Sequence, residues 1–253
     1  MSNHVRTSTA DRITDIEIHR PEKKNALTGE MYDAMSEAIL RAEGDAGVHV
    51  VLLHGQADCF TSGNDLADFV AAGQAQGAGV PSPASRFLGV IRTARKPVVA
   101  AVGGVAVGIG TTMLLHCELV YAAPNARFQM PFVPLGLAPE GGSSLLFPMV
   151  AGYQRAAELL LLGRPFGAEK AAAAGLVNEV VPVERLLAHA REAALAVAAL
   201  PVESVRITKE WLKRPYAAAL EERMAEEIRV FGERLHSPEA KAAMGAFFQR
   251  KKG

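Results

Sequence analysis

Apolar positions along this chain recur with strand-like and helix-like spacings that divide it into short elements. Ile13, Ile16 and Ile18 stand among polar neighbours and predict a strand. The run Arg20-Pro21-Glu22-Lys23-Lys24-Asn25 that follows is polar and turn-rich. Thr28 reads as a helix N-cap, and Met31, Met35, Ile39 and Leu40 recur at helical spacing up to Gly44, which supplies a stop. Val48 to His54 is a short, mostly apolar run rich in β-branched residues, the signature of a buried strand.

The stretch from Ala71 to Ala84 is rich in Gly, Ala, Gln and Pro without apolar periodicity, and it reads as a loop. Strands are expected at Pro97 to Val102, Leu119 to Ala122 and around Phe128, with a helix from about Gly108, so successive β-turn-α units and an α/β fold follow. From about Gly141 helices dominate, broken at Gly152, Gly163, Gly175 and Pro201. The division predicted is a core over residues 1–200 and a helical appendage over 201–253, where Leu220, Met224, Ile228 and Phe231 are spaced along one long helix.

Composition narrows the function. The chain has 253 residues, 49% of them hydrophobic and 21% charged, which is ordinary for a globular protein. Its formal net charge is zero, so no global field favours nucleic acid or an anionic membrane, and neither partner is expected. No apolar run reaches the roughly 18 residues of a membrane span. The polar start MSNHVRTSTADR lacks an apolar leader segment, and the end Arg250-Lys251-Lys252-Gly253 carries no peroxisomal address, so a cytoplasmic location is expected. Two cysteines are too few for a disulfide framework, and seven histidines show no metal-binding pair spacing, so no metal is assigned. No serine stands in a nucleophile elbow.

What remains is a set of Gly-rich turns and one acid. Between Lys96 and Ser144, Gly103, Gly104, Gly108 and Gly110 allow close backbone approach to a ligand, and a strand-to-helix turn leaves N–H groups unpaired where negative charge is welcome. A second such turn lies in Cys59-Phe-Thr-Ser-Gly-Asn-Asp-Leu66. Two amide donors converging on one carbonyl oxygen form an oxyanion hole. The third segment is the turn whose only carboxylate is Glu140, which on its own reads as a helix-start acid stabilised by the helix dipole.

RPEKKNAL at 20–27, FTSGNDL at 60–66, KPVVAAVGGVAVGIG at 96–110 and PLGLAPEGGSS at 134–144 together resemble the crotonase, or enoyl-CoA hydratase/isomerase, family, in order and approximate spacing. The resemblance implies a ββα spiral with a C-terminal trimerisation and lid region, a homotrimer or dimer of trimers, an acyl-CoA thioester substrate and no separate cofactor, CoA being part of the substrate. Carried over by position, it implies the N–H groups of Ser62 and Ile109 as the two donors. Ser62, Gly63, Asn64, Asp65, Leu66, Gly108, Ile109 and Lys24 are implied as substrate-binding residues. Asn64 and Asp65 serve equally as turn formers, and Lys23, Lys24, Lys251 and Lys252 read first as solvated surface charges, with contact to the CoA phosphates as the alternative the resemblance offers.

Family hydratases carry two glutamates, and the matching positions here hold Thr112 and Phe132. Glu140 instead resembles the acid of the 3-enoyl-CoA to 2-enoyl-CoA isomerases. That implies a single-base proton shift through a dienolate, with Glu140, Ser62 and Ile109 as catalytic groups. Burial is expected to raise the pKa of Glu140, and a helix start at Gly141 to pull it back, leaving an ionised base at neutral pH. The alternatives are a hydratase or another crotonase reaction, and a non-catalytic acyl-CoA-binding module.

Overall fold

A computed structural model describes residues 2–65 and 82–250, the side chains of 244 and 247–250 excepted. A hairpin opens the chain. Strands β1 (Val5–Ala10) and β2 (Ile13–Ile18) pair antiparallel across a two-residue turn, Asp11-Arg12, whose φ angles are both positive at 51° and 66°. Such a turn matches the twist of the strands it joins. β1 exposes most of its length, and no sequence pattern predicts it.

The hairpin starts a six-stranded sheet in the order β1-β2-β3-β5-β7-β10, with β3 at Val50–His54, β5 at Val98–Val102, β7 at Leu119–Ala122 and β10 at Glu179–Val180. From β2 outward the pairs are parallel. Alternation sorts the side chains between two cores. Val51, Leu53, Val98 and Ala100 face the main core, while Val50, Leu52, Val99 and Ala101 face a smaller one against the Leu186–Ala198 helix. Both faces of the central strands are therefore covered, which is why β3 is apolar from Val50 to Leu53 with no polar residue between.

A second sheet, β4-β6-β8-β9, carries the Gly-rich turns: β4 is Cys59–Thr61, β6 Val105–Val107, β8 Arg127–Gln129 and β9 Phe166–Gly167. The Gly29–Gly44 helix begins as predicted, with the Thr28 side chain accepting from the Met31 N–H. The 71–84 stretch read as a loop falls outside the described residues up to 81; beyond it Pro83 and Ala84 open the Pro83–Thr93 helix, capped by Ser82. After β8 the chain is mostly helical, through Ser143–Ala151 and Tyr153–Leu162 to Val202–Lys213, Ala217–Leu235 and Pro238–Arg250. The last three make the C-terminal region helical, and Leu220 and Met224 of the Ala217–Leu235 helix pack into the main core. Among the described residues no helix is long and apolar enough to cross a membrane.

Candidate active site

The turn after β4 is built from the 20–27 loop. Asn25, fully buried with φ 53°, accepts from the Arg20 N–H through Oδ1 at 2.6 Å, and its Nδ2 faces the carbonyls of Cys59 and Phe60 at 3.0 and 2.9 Å. Thr61 Oγ1 donates to the Asn25 carbonyl at 2.6 Å and accepts from the Gly63 N–H at 3.1 Å. The Ser62 N–H donates to the Lys24 carbonyl at 3.0 Å, and the Asp65 N–H to the Leu27 carbonyl at 2.8 Å. Three of the four amides from Ser62 to Asp65 are thus committed. Only the Asn64 N–H has no partner among the described residues.

Ser62 is therefore corrected as a donor: its amide ties the turn to the 20–27 loop and is not available to a ligand. The amide of this turn left without a partner among the described residues is that of Asn64. Its side chain is held by Tyr32 of the Gly29–Gly44 helix, whose hydroxyl donates to Asn64 Oδ1 at 2.5 Å. The Asp65 carboxylate is engaged by Arg20 at 2.8 Å, and Arg20 also donates to the Ala26 carbonyl at 2.9 Å, so Asp65 fastens the loop.

The partner turn follows β6. Gly108, at φ 58°, leads into the short helix Ile109–Thr112, and its N–H donates to the Gln129 carbonyl at 2.8 Å. Ile109 is the first helical residue, so its N–H has no carbonyl behind it and stands unpartnered among the described residues. Ile109 itself is buried, and its N–H is the backbone donor this turn leaves open. β4 and β6 run parallel with Thr61 opposite Ala106, and Asn64 and Ile109 each stand three residues beyond that pair. The two turns touch: a Cβ on Gly63 would come within 2.6 Å of the Val107 carbonyl oxygen, and one on Gly110 within 2.6 Å of Thr61 Cγ2. Only glycine lets the donor turns close on each other.

Glu140 abuts the same short helix. Thr112 Oγ1 donates to Glu140 Oε1 at 2.5 Å, and Gly141 packs directly on Thr112. Burial pushes the Glu140 pKa up from 4.5 to about 7, the Thr112 hydrogen bond opposing the rise and the charge of Glu227 adding to it. This corrects the expected pull from the following helix. That helix starts at Ser143, and the N–H groups of Gly142 and Ser144 are occupied by the Glu227 carboxylate at 2.6 and 3.1 Å. Glu227, on the Ala217–Leu235 helix, also accepts from the Ser144 hydroxyl at 2.6 Å, so the appendage is latched to the Glu140 turn. At neutral pH Glu140 is divided between its two protonation states.

Beneath the turn, His116 is buried and kept neutral, its pKa lowered to about 4 by desolvation, so its Nε2–H donates to the Gly141 carbonyl at 2.8 Å. Glu118 pairs with Lys209 and Lys213, at 2.9 Å each. Both residues brace the fold. Phe132 is buried and meets Phe231 edge to face at 6.3 Å between centroids. Lys24 is exposed and contributes its carbonyl to the donor turn. Leu66, Lys251 and Lys252 lie outside the described residues. Among those described, no group of three or more His, Cys, Asp or Glu stands close enough to hold a metal ion.

Asn25, Arg20, Tyr32 and Glu227 escape sequence reasoning as site residues. Asn25 and Arg20 lie within the conspicuous 20–27 motif, whereas Tyr32 and Glu227 act across 32 residues and more than 80 residues respectively, which no local pattern reveals.

Residues 8–253 match the family model described as enoyl-CoA hydratase/isomerase. The chain is 36% identical to enoyl-CoA delta isomerase 2 of Homo sapiens over 96% of its own length, and spans 63% of that relative. It is 28% identical to the short-chain-enoyl-CoA hydratase of Clostridium acetobutylicum, over 99% of this chain and 96% of the relative. Among solved structures, an enoyl-CoA hydratase/isomerase from Pseudoalteromonas atlantica superposes with a TM-score of 0.92 at 39% identity, covering 98% of both chains. OdaA of Pseudomonas aeruginosa does so with a TM-score of 0.92 at 46% identity, covering 97% of this chain and 99% of the other.

Proposed function

Because the chain belongs to the enoyl-CoA hydratase/isomerase family, we propose that it is an isomerase that moves the double bond of a 3-enoyl-CoA to the 2-position, with Glu140 as its single acid–base group. One observation carries this reading: Glu140 is hydrogen-bonded to Thr112 of the donor helix, while the two positions where family hydratases carry glutamates hold that Thr112 and a buried Phe132. Hydration of a 2-enoyl thioester needs a positioned and activated water, which a pair of carboxylates supplies. A 1,3-proton shift needs only one.

In the proposed step, Glu140 takes the proton from the carbon α to the thioester. The electrons of that bond flow into the carbonyl, and the resulting oxyanion is stabilised by the N–H groups of Asn64 and Ile109. The electron pair then returns through the conjugated system while Glu140 delivers the proton to the γ carbon. Substrate and product are isomers, so the step consumes no oxidant or reductant. A pKa of about 7 suits the role, because the group must be an effective base in one half of the cycle and an acid in the other. A trimer or dimer of trimers, with residues 201–253 as its trimerisation and lid region, belongs to the same proposal.

The test offers purified protein a 3-enoyl-CoA and a 2-enoyl-CoA separately. Conversion of the first to the 2-enoyl thioester, without 3-hydroxyacyl-CoA from either, is expected. Hydration of the second without isomerisation of the first overturns the assignment in favour of a hydratase. Tight CoA binding with no α-proton exchange marks a binding module.

A further inference from the structure

The Glu140 carboxylate is held at one oxygen only. Thr112 Oγ1 donates to Oε1 at 2.5 Å, while Oε2 has no partner among the described residues. The threonine is itself immobilised: it is fully buried, its N–H donates to the Gly108 carbonyl at 3.0 Å, and a Cβ on Gly141 would stand only 3.2 Å from its own Cβ. β-Branching restricts χ1 further, so the hydroxyl points in a fixed direction.

Resting on the isomerase reading, we propose that Thr112 is a positioning residue: by holding Oε1 it leaves Oε2 as the one oxygen that takes the α proton and returns it to the γ carbon. The bond persists through both halves of the cycle. An ionised Glu140 accepts from Thr112 at Oε1, and a Glu140 protonated on Oε2 still presents Oε1 as a carbonyl acceptor to the same hydroxyl. The carboxyl group therefore does not rotate between accepting and delivering the proton. The C–H pair at the α carbon passes into the dienolate and ends as the new α,β double bond, the pair of the former β,γ double bond takes the proton at the γ carbon, and the proton travels on a single oxygen. A carboxylic acid free to rotate would present its proton to water and exchange it.

The charged and titratable groups around the turn come from three elements. Glu227 and Arg223 belong to the Ala217–Leu235 helix, Arg223 lying 3.4 Å from Ser144 Oγ. His116, neutral, lies beneath Gly141, and Arg92 of the Pro83–Thr93 helix pairs with Glu221 at 3.8 Å. None of these donates to Glu140 Oε1, so loss of the Thr112 hydroxyl is not made good by a neighbour.

The experiment compares wild type, Thr112→Val and Thr112→Ser with an α-deuterated 3-enoyl-CoA and follows both kcat against pH and the deuterium recovered at the γ carbon. Valine keeps the shape and removes the donor. Its acidic limb should move up by about one pH unit, because a hydrogen bond to the charged form lowers a pKa, and γ-deuterium recovery should fall well below that of wild type. Serine restores the hydroxyl and should recover both. Thr112→Ala serves as the second variant if valine does not fold. A folded variant lacking the hydroxyl, with wild-type deuterium recovery and pH profile, overturns the proposal, as does a serine variant that behaves like valine. A wild-type enzyme that leaves 3-enoyl-CoA unconverted overturns the isomerase reading itself, and the proposal with it.

Discussion

Replacing Glu140 by Gln should do two opposite things: remove the base and stabilise the fold. The carboxyl group titrates at about 7 in the folded protein against 4.5 when unperturbed, so the native state holds a proton that the unfolded chain has released over that interval. A carboxylate with a raised pKa makes its full contribution to stability below pH 4.5 and loses it as pH rises through 7. The displacement of about 2.5 pH units, at 1.36 kcal/mol each, corresponds to about 3 kcal/mol of wild-type stability given up at pH 8. Glutamine keeps the shape and an acceptor for Thr112 and never ionises. Urea denaturation at fixed protein concentration should show Glu140→Gln more stable than wild type by about 3 kcal/mol at pH 8, a gap that closes towards pH 4.5. The same variant should lose isomerase activity by roughly 100- to 10,000-fold. A variant no more stable than wild type at pH 8 would refute the buried, desolvated carboxylate, and one keeping a tenth or more of the activity would refute the base.

Three further outcomes follow from the same geometry. Wild-type kcat should fall as pH drops through about 7, and Glu227→Gln should move that limb to lower pH, since the Glu227 charge is one cause of the elevated Glu140 pKa; pH–rate profiles check both. Ile109→Pro removes an amide donor at a first helical position that tolerates proline; kcat should fall about 100- to 1,000-fold with KM far less affected, while Ile109→Val, which keeps the N–H, stays close to wild type. Ser62→Ala should leave kcat and KM near wild type, because only the serine amide is used, tied to the Lys24 carbonyl, and alanine keeps it; a large loss in steady-state assays would place the Ser62 hydroxyl in the site.

The strands of the sheet interior and the Gly29–Gly44 helix are legible in the sequence because burial dictates their residues: β5 is apolar throughout and β3 is apolar up to His54, and the helix carries its own cap. β1 is not, since an edge strand exposed along Arg6 to Ala10 has no apolar face to announce it, and its Asp11-Arg12 turn lacks the glycine that usually marks such hairpins. The Pro83–Thr93 helix follows directly on a Gly- and Ala-rich stretch, which masks its start. At the site, the Gly-rich turns and Glu140 are visible as residue types. Which amide of the 62–65 turn remains unpaired is not, because that depends on the carbonyls of Lys24 and Leu27, brought up by another loop. The Glu140 pKa escapes sequence reasoning for a similar reason: the helix N-terminus expected to lower it is taken by Glu227, far along the chain.

The most direct measurement is a crystal structure of Glu140→Gln with a 3-enoyl-CoA bound. The thioester oxygen should lie about 3 Å from both the Asn64 and Ile109 nitrogens, with the side-chain amide that replaces the carboxylate within reach of both the α and γ carbons. A thioester oxygen held by other groups, or an acyl chain whose α and γ carbons lie out of reach of that amide, would contradict both the donor pair and the single-base mechanism.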